Sequence, residues 1–330
     1  MTLSPPRMEA SVVEQQKLGA ETECAPASPR DWLVAQVAIR LGRLNRFDLV
    51  LRARRQAVSL LAREGFTALA KFPMGIELYL PCWDNGLAGA LLARHVFEPM
   101  PVSIFQSVVR PGAVVIDGGA HVGFYAILAA KLMQGRGTII AFEPDPRNFL
   151  ILQRNIARNE VQSTIRAECT ALSDFDGAAE MWIADDISTC GSLVNMDLAS
   201  HRSIPIQSTC LDSYLSTTEI SKIDLLKLDL EGAEPICLRG ARRAVKLANF
   251  LLFELNAPRL KAQGLVPQDV LREFLVSGCF TEAILFDEIR QRAVRWNSGP
   301  ELSSLLEAAG FVNVLLSKQK EVVSLDASGA

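Results

Sequence analysis

The sequence predicts an α/β domain whose mostly parallel sheet of seven strands carries helices on both faces. Apolar segments of strand length alternate with segments of helical periodicity, which is the pattern of a parallel sheet buried between helices. Two of these apolar strands end in an acid, Asp117 and Glu143, and a glycine-rich turn follows the first. A third strand carries Lys227 and Asp229 within an otherwise apolar segment.

Residues 1–75 are expected to lie outside this domain. Residues 1–30 contain several prolines and lack the basic-then-apolar order of a signal peptide, so we expect a disordered tail. Residues 31–75 are expected to form a basic amphipathic helical extension. Apolar residues recur there at helical spacing from Leu33 to Leu44, and arginines occupy the other faces. This basic face is either simply solvated or a surface for membrane lipid or an acidic partner.

The α/β domain is expected over residues 76–330. Ile76–Leu80 alternates like a half-buried strand that leads into it. Seven later segments are expected to form the sheet, and they are residues 113–117, 138–142, 164–168, 223–229, 249–254, 280–286 and 312–316. Between residues 177 and 212, two short strands and a polar loop over Ser188–Ser203 interrupt the alternation.

The first informative segment is AVVIDGGAHVG, which begins at Ala113. It reads as a buried strand that ends in Asp117, followed by a glycine-rich turn and a helix from Phe124. Glycines let a backbone approach a ligand where a Cβ would collide. The next strand ends in Glu143, whose carboxylate can accept hydrogen bonds from both ribose hydroxyls. Together these features predict a pocket for a nucleoside with a charged tail.

The order of the glycines bears on the cofactor. A dinucleotide-binding turn is expected to read G-x-G-x-x-G, with a pyrophosphate on the helix N-terminus. Here the glycines are Gly118, Gly119 and Gly123, and the turn opens with Asp117. An acid at that point would repel a pyrophosphate and would suit an ammonium and a sulfonium, as in S-adenosylmethionine. An ordinary strand-to-helix turn without a ligand is the alternative.

The second informative segment is IDLLKLDLEGAE, which begins at Ile223. Lys227 and Asp229 are two residues apart and therefore share one face of a strand. Burying charges is costly unless they pair or bind a ligand, and ligands lie outside the carboxyl ends of parallel strands. Asp229 and Glu231 are at that end. The alternative is an ion pair of Lys227 with either acid that only shapes the turn.

Taken in series, these segments resemble the FkbM-type methyltransferases. The motifs are DGGAHVG from Asp117, FEPDP from Phe142, ALSD from Ala171 and KLDLEGAE from Lys227. The resemblance implies a Rossmann-like class I methyltransferase fold, S-adenosyl-L-methionine as cofactor, and methylation of hydroxyl oxygens of natural products, sugars or glycans. His121 departs from the family, which usually has asparagine there.

The resemblance also implies a role for each matching residue. The methionine part of the cofactor would be held by the turn residues Asp117, Gly118, Gly119, Ala120, His121 and Gly123. Glu143 would hold the ribose, Pro144 would lie against the adenine, and Ala171 and Leu172 would border the adenine edge. Asp229 would face the methyl group and the acceptor.

Three residues are candidates for catalysis: Asp229, Glu231 and His121. The chemistry requires an acceptor oxygen positioned in line with the methyl carbon and a group that takes the hydroxyl proton. A carboxylate such as that of Asp229, or the imidazole of His121, can take that proton. His121 is equally well interpreted as a contact at the start of a helix.

Composition limits the partners and the compartment. The formal net charge of −3 shows no bias toward nucleic acid, and no apolar run approaches the roughly 20 residues that span a bilayer. The seven cysteines are scattered without a C-x-x-C pair, which favours reduced thiols in the cytoplasm. The three histidines are not at metal-ligand spacing, so no metal is expected.

Two other classes of function compete with a methyltransferase. The first is a nicotinamide-dependent oxidoreductase, against which stand the absent G-x-G-x-x-G motif, the acid at Asp117 and the lack of a Tyr-x-x-x-Lys pair. The second is a non-catalytic methyltransferase-like scaffold that acts through the basic extension. Neither the acceptor nor the oligomeric state can be deduced from the sequence.

Overall fold

A computed structural model describes residues 67–81, 99–184, 187–195, 201–287, 289–290 and 292–319. The tail expected at residues 1–30 and most of the helical extension expected at 31–75 lie outside these ranges. Residues 67–72 of that extension are not helical, because they form strand β1 (Thr67–Phe72), which pairs antiparallel with β2 (Ile76–Pro81), and a single 3-10 turn over Pro73–Gly75 connects the two strands. The expected boundary assigned residues 67–72 to the extension, whereas their backbone pairs with β2.

The remaining strands form two sheets. In chain order they are β3 (Ala113–Gly118), β4 (Gly137–Phe142), β5 (Ile165–Glu168), β6 (Ala171–Ser173), β7 (Gly177–Ala184), β8 (Ile187–Ser192), β9 (His201–Cys210), β10 (Ile223–Leu228), β11 (Ala248–Asn256), β12 (Glu282–Asp287), β13 (Arg292–Arg295) and β14 (Phe311–Ser317). The central sheet has the spatial order β5-β4-β3-β10-β11-β14-β12-β13.

The central sheet contains all seven expected strands and one more. The strands from β5 to β11 run parallel, and β14 lies antiparallel between β11 and β12. The extra strand, β13, pairs with β12 at the edge. Two exposed arginines flank the half-buried Ala293 and Val294, so this four-residue strand gave no apolar signal. Strand order reverses between β3 and β10, and a ligand crevice is expected at such a point.

Helices cover both faces of the central sheet, as predicted. They are α1 (Pro99–Val108), α2 (Phe124–Leu132), α3 (Pro146–Arg158), α4 (Leu211–Ser216), α5 (Glu234–Arg239), α6 (Arg242–Leu247), α7 (Ala257–Ala262), α8 (Pro267–Gly278) and α9 (Glu301–Ala309). One apolar core lies between the sheet and α1 to α3, and a second lies on the opposite face beneath α4 to α9. The expected helix start at Pro146 is confirmed, with Asp145 capping it by accepting the Arg147 N–H at 2.9 Å.

The segment between residues 171 and 210 forms a second sheet of four strands with the order β6-β9-β7-β8. The two strands expected in this part of the chain are present as β7 and β9. The expectation of a loop over Ser188–Ser203 is wrong for residues 188–192, which belong to β8, and for 201–203, which begin β9. The sequence ISTCGS of β8 is largely polar, and it becomes a strand because it pairs with β7.

Asn155 of α3 and Asn159, which caps the C-terminus of that helix, attach the β1–β2 hairpin to the domain. Oδ1 of Asn155 accepts the Tyr79 N–H at 2.6 Å, and its Nδ2 donates to the carbonyl oxygens of Tyr79 at 3.0 Å and Val122 at 2.8 Å. Asn159 repeats the pattern one turn later, accepting the Glu77 N–H at 3.0 Å. Since Val122 belongs to the glycine-rich turn, the hairpin and that turn are held by one buried side chain.

Candidate active site

The glycine-rich turn after β3 is pressed against its neighbours closely enough to require glycine. A Cβ on Gly119, where φ is +74°, would lie 1.9 Å from the carbonyl oxygen of Asp229. A Cβ on Gly123, where φ is +93°, would lie 2.4 Å from Cδ1 of Leu152. The N–H groups of Gly119 and Ala120 both donate to the carbonyl oxygen of Phe142. The turn is therefore fixed against the ends of both β4 and β10.

Glu143, which directly follows β4, holds the same turn by hydrogen bonds. Its Oε2 accepts the backbone N–H of His121 at 2.8 Å, and its Oε1 accepts that of Asp145 at 2.9 Å. The side chain is buried, and burial raises the pKa of Glu143 to about 7 against these stabilising hydrogen bonds. Each carboxylate oxygen has more than one lone pair, so ribose hydroxyls can still donate to it.

Lys227 joins the two informative segments of the sequence. It is the register partner of Asp117 on the adjacent parallel strand, and its Nζ lies 3.1 Å from Oδ1 of Asp117. The same Nζ lies 3.5 Å from Oδ2 of Asp229 and donates to the Gly119 carbonyl oxygen at 3.3 Å. The pairing with Asp229 was an alternative offered by the sequence. The pairing with Asp117 was missed, although both residues stand near the end of their strands.

Asp117 retains binding capacity toward a ligand. Its side chain is fully buried, and Oδ2 has no hydrogen-bond partner among the residues that the structure describes. A buried acceptor without a donor is costly unless a ligand supplies one. This orphaned oxygen, the glycine turn and Glu143 together fit a cofactor that has a cationic tail and a ribose.

Asp229 lies where the sequence predicted, at the carboxyl end of β10. Its backbone N–H donates to the Gly118 carbonyl oxygen at 3.0 Å, and its side chain is 41% exposed. It lines a cavity together with Glu254, Asn313 and Tyr125. Asp229 is therefore an accessible carboxylate beside the glycine turn.

The other two catalytic candidates occupy different positions. Glu231, with φ of +54°, places Oε2 3.2 Å from Nη2 of Arg259, so it pairs with α7 and not with Lys227. Its carbonyl oxygen accepts the hydroxyl of Ser192 from the second sheet at 2.7 Å. His121, with φ of +52°, contributes its backbone N–H to Glu143. Of the three candidates, Asp229 is the one that lines the cavity described above.

Glu234 has a role that the sequence did not indicate. It is buried, and its Oε1 accepts the Leu230 N–H at 2.7 Å, which fixes the turn that follows Asp229. Burial raises the pKa of Glu234 to about 8. The sequence shows that Glu234 is part of the KLDLEGAE motif. Its burial could not be predicted, because it depends on how α5, which begins at Glu234, packs in the folded protein.

The residues expected around the adenine lie beside the turn. A Cβ on Gly118 would lie 2.9 Å from Cδ1 of Leu172, so β6 packs directly against the turn. Ala171 and Leu172 are both buried. Pro144 is half-buried, and its carbonyl oxygen accepts the Cys169 thiol at 4.0 Å. The expected adenine contacts remain a prediction, and the structure places their residues at one end of the sheet.

These features define the class of the protein. A parallel sheet with a reversal between its third and fourth strands in space, an antiparallel strand inserted near one edge, and acids at the ends of β3 and β4 form a Rossmann-like class I methyltransferase fold. The Methyltransferase FkbM domain matches residues 117–312, more than half of the chain. The chain belongs to this family, and the S-adenosylmethionine-dependent methyltransferase domain predicted from its sequence is confirmed.

Curated relatives share part of the chain. It is 26% identical over 159 residues to the hexuronic acid methyltransferase AglP of Haloferax volcanii, covering 48% of this chain and 60% of AglP. It is 30% identical over 186 residues to the 31-O-demethyl-FK506 methyltransferase FkbM of Streptomyces tacrolimicus, covering 48% and 71%. It is 23% identical over 188 residues to the 2-O-methyltransferase NoeI of Sinorhizobium fredii, covering 53% and 75%.

Three further features bear on the composition-based expectations. No helix in the described ranges is long and apolar enough to cross a membrane. The same residues contain no cluster of three histidine, cysteine, aspartate or glutamate side chains that could hold a metal ion. Four described cysteines are free thiols, and they are Cys169, Cys210, Cys237 and Cys279.

Proposed function

We propose that this protein transfers a methyl group from S-adenosylmethionine to a hydroxyl oxygen of a sugar, glycan or natural product. The observation that carries the proposal is the partly exposed carboxylate of Asp229. This carboxylate lines a cavity beside the glycine turn, and its Oδ2 lies 3.5 Å from Nζ of the buried Lys227. A hydroxyl acceptor needs a base of this kind within hydrogen-bond reach.

The residues around the turn have separate tasks in holding the cofactor. Oδ2 of Asp117 is the acceptor for a cationic group, and Glu143 is the acceptor for ribose hydroxyls. Gly119 allows the turn beside these groups to approach the Asp229 carbonyl oxygen, with which a Cβ would collide. When bound, the cofactor supplies an activated methyl group on a sulfonium.

Asp229 and Lys227 divide the remaining chemistry. A bound cofactor would supply the methyl group to the acceptor oxygen and would leave as the thioether, and the Asp229 carboxylate would take the proton of the acceptor hydroxyl. Lys227 holds that carboxylate in place and offsets part of its charge. Most of the rate acceleration comes from holding the acceptor oxygen in line with the methyl carbon, because fixing two reacting groups in the correct geometry lowers the entropic part of the barrier.

The names of the relatives support an oxygen atom as the methyl acceptor. The Streptomyces relative is named for a 31-O position and the Sinorhizobium relative for a 2-O position, while the archaeal relative is named for hexuronic acid. Family membership sets aside the nicotinamide-dependent oxidoreductase. The non-catalytic scaffold is the alternative that an activity measurement has to exclude.

The test is methyl transfer from S-adenosylmethionine labelled with carbon-13 in its methyl group, using panels of glycosides and hydroxylated natural products. Formation of S-adenosylhomocysteine that depends on the acceptor, with an O-methyl carbon signal in the product, is the expected result. A product methylated on nitrogen or carbon contradicts the assignment. Cofactor binding without transfer to any acceptor, including cell extracts, indicates the scaffold.

A further inference from the structure

Two side-chain amides bind one edge of β2 as a neighbouring strand would. Glu77 and Tyr79 are two residues apart, so their backbone groups face the same edge of the strand. Asn155 accepts the Tyr79 N–H at 2.6 Å and donates to the Tyr79 carbonyl oxygen at 3.0 Å. Asn159 makes the same two bonds to Glu77, at 3.0 Å and 2.6 Å. A side-chain amide offers the donor and the acceptor of a peptide group, which is why it can replace a strand here.

The spacing of the two asparagines suits this edge. Residues four apart on a helix have their Cβ atoms about 5–6 Å apart. Residues two apart on a strand are separated by roughly 6.5 Å. Asn155 and Asn159 can therefore bond successive backbone groups along the edge of β2, and this fixes the position of α3 relative to the β1–β2 hairpin.

Asn155 also holds the glycine-rich turn. Its Nδ2 donates to the Val122 carbonyl oxygen at 2.8 Å, and its side chain is fully buried. Leu152, one turn earlier on α3, lies so close to Gly123 that a Cβ there would be 2.4 Å from its Cδ1. Residues 119–121 of the turn are instead bonded to the end of β4 and to the residue that follows it. The second half of the turn thus depends on α3.

The hairpin contacts the start of α2 as well. The rings of Phe72 and Phe124 meet edge to face with their centroids 5.5 Å apart, and Phe124 is the first residue of α2. Ile76, Leu78 and Leu80 of β2 are buried in the apolar core that includes this helix. The hairpin therefore supports the glycine-rich turn through Asn155 and the helix that follows the turn through direct packing.

Resting on the cofactor role given to this turn in the proposed function, we propose that Asn155 is a positioning residue that couples docking of the β1–β2 hairpin to cofactor binding. Without its amide, the Val122 carbonyl oxygen loses this buried donor, and the turn loses a contact that places its backbone before the cofactor arrives. The hairpin precedes residues 117–312, which match the family domain, so cofactor affinity is inferred to depend on a segment outside that match.

A matched pair of variants tests the role of Asn155. Asn155→Ala and Asn159→Ala each remove a two-bond contact with β2 and should each lower stability toward urea. Among the described contacts, Asn155 is the member of the pair that is bonded to the glycine-rich turn. Asn155→Ala is therefore expected to weaken S-adenosylhomocysteine binding about threefold or more, and Asn159→Ala to change it about twofold at most. Calorimetry on the folded full chain measures both. Equal weakening by the two variants, or none by Asn155→Ala, overturns the role of Asn155.

Hydrogen exchange on the unmodified chain tests the coupling without relying on a variant that may not fold. Coupling between two sites is reciprocal, so the cofactor must stabilise the docked hairpin if the hairpin favours cofactor binding. Saturating S-adenosylhomocysteine is expected to slow amide exchange in residues 76–81 several-fold more than in α8, which packs on the opposite face of the sheet. Slowing that is no larger than in α8 overturns the coupling.

These measurements are independent of methyl transfer. O-methylation of an acceptor together with unchanged hairpin exchange overturns the inference and leaves the proposed function standing. Coupled exchange without transfer to any acceptor supports the inference and counts against the proposed function.

Discussion

Lys227 and Asp117 stand opposite each other on neighbouring parallel strands, and their charged groups lie 3.1 Å apart with both side chains almost fully buried. The pair connects the strand that opens the glycine turn with the strand that presents Asp229. Breaking a buried pair from one side leaves an uncompensated charge. The Lys227–Asp117 ion pair therefore affects both the stability of the fold and the position of the residues proposed to bind the cofactor.

Lys227→Met is expected to lower the free energy of unfolding by about 3–5 kcal/mol, because the Asp117 carboxylate loses its buried counter-ion. The control is Lys222→Met, whose ammonium is 64% exposed and pairs with Asp224 at the surface. Urea unfolding measures both. The double variant Lys227→Met, Asp117→Leu should recover part of the loss. Equal destabilisation by the two single lysine variants would show that the pair is not important for stability.

Glu143→Ala is expected to weaken S-adenosylhomocysteine binding, since the ribose loses charge-assisted hydrogen bonds that contribute roughly 1.5–3 kcal/mol each at most. The structure adds a cost in stability, because the His121 and Asp145 N–H groups lose their acceptor. Glu143→Gln keeps one acceptor oxygen and should lose less stability. Calorimetry measures the affinity. Unchanged affinity, or tighter binding of NAD than of S-adenosylhomocysteine, contradicts the cofactor assignment.

The stability of the cofactor-free protein is expected to fall as pH rises from about 4.5 to about 8. The folded-state pKa values of Glu143 and Glu234 are raised from 4.5 to about 7 and about 8, chiefly by burial. The folded protein therefore binds these protons more tightly than the unfolded chain. Their contribution is fully present below pH 4.5 and is lost as pH rises through each folded value.

Glu234→Gln isolates one of these two groups. It removes the titration while keeping an acceptor for the Leu230 N–H, so the free energy of unfolding should vary less between pH 5 and pH 8 than in the unmodified chain. Thermal or urea unfolding across that range is the measurement. An unchanged pH profile would show that Glu234 does not titrate there.

Local patterns were sufficient to predict the central strands and the positions of several candidate site residues. The seven strands, the acids at the ends of β3 and β4, and Asp229 at the end of β10 follow from apolar periodicity and short motifs. The Lys227–Asp117 pair could not be predicted, since it depends on the register between strands more than a hundred residues apart. Strands β8 and β13 were missed because their residues are largely polar and their pairing, not their composition, makes them strands.

The partner of Glu231 in the KLDLEGAE segment likewise depends on tertiary structure that the sequence does not specify. The sequence allowed Glu231 to pair with Lys227, but the left-handed backbone at Glu231 turns its carboxylate toward Arg259. Gly232 makes this contact possible, because a Cβ there would lie 2.6 Å from Cβ of Arg259. The ion pair with Arg259 favours a structural role for Glu231. Asp229 is then the accessible acid at this end of β10.

Asp229→Asn is expected to slow methyl transfer by about 10²–10⁴ while cofactor affinity changes little, because it keeps the shape of the side chain and removes the base. Asp269→Asn is the matched control, since Asp269 is 70% exposed on α8. His121→Asn should be mild, because asparagine tolerates the left-handed φ of +52° and the contact with Glu143 uses the backbone N–H. Rates at saturating S-adenosylmethionine, with cofactor affinity from calorimetry, check all three variants. If Asp229→Asn turns over normally and His121→Asn does not, the base is the histidine. If both turn over normally, the proton leaves to water and the enzyme acts by positioning alone.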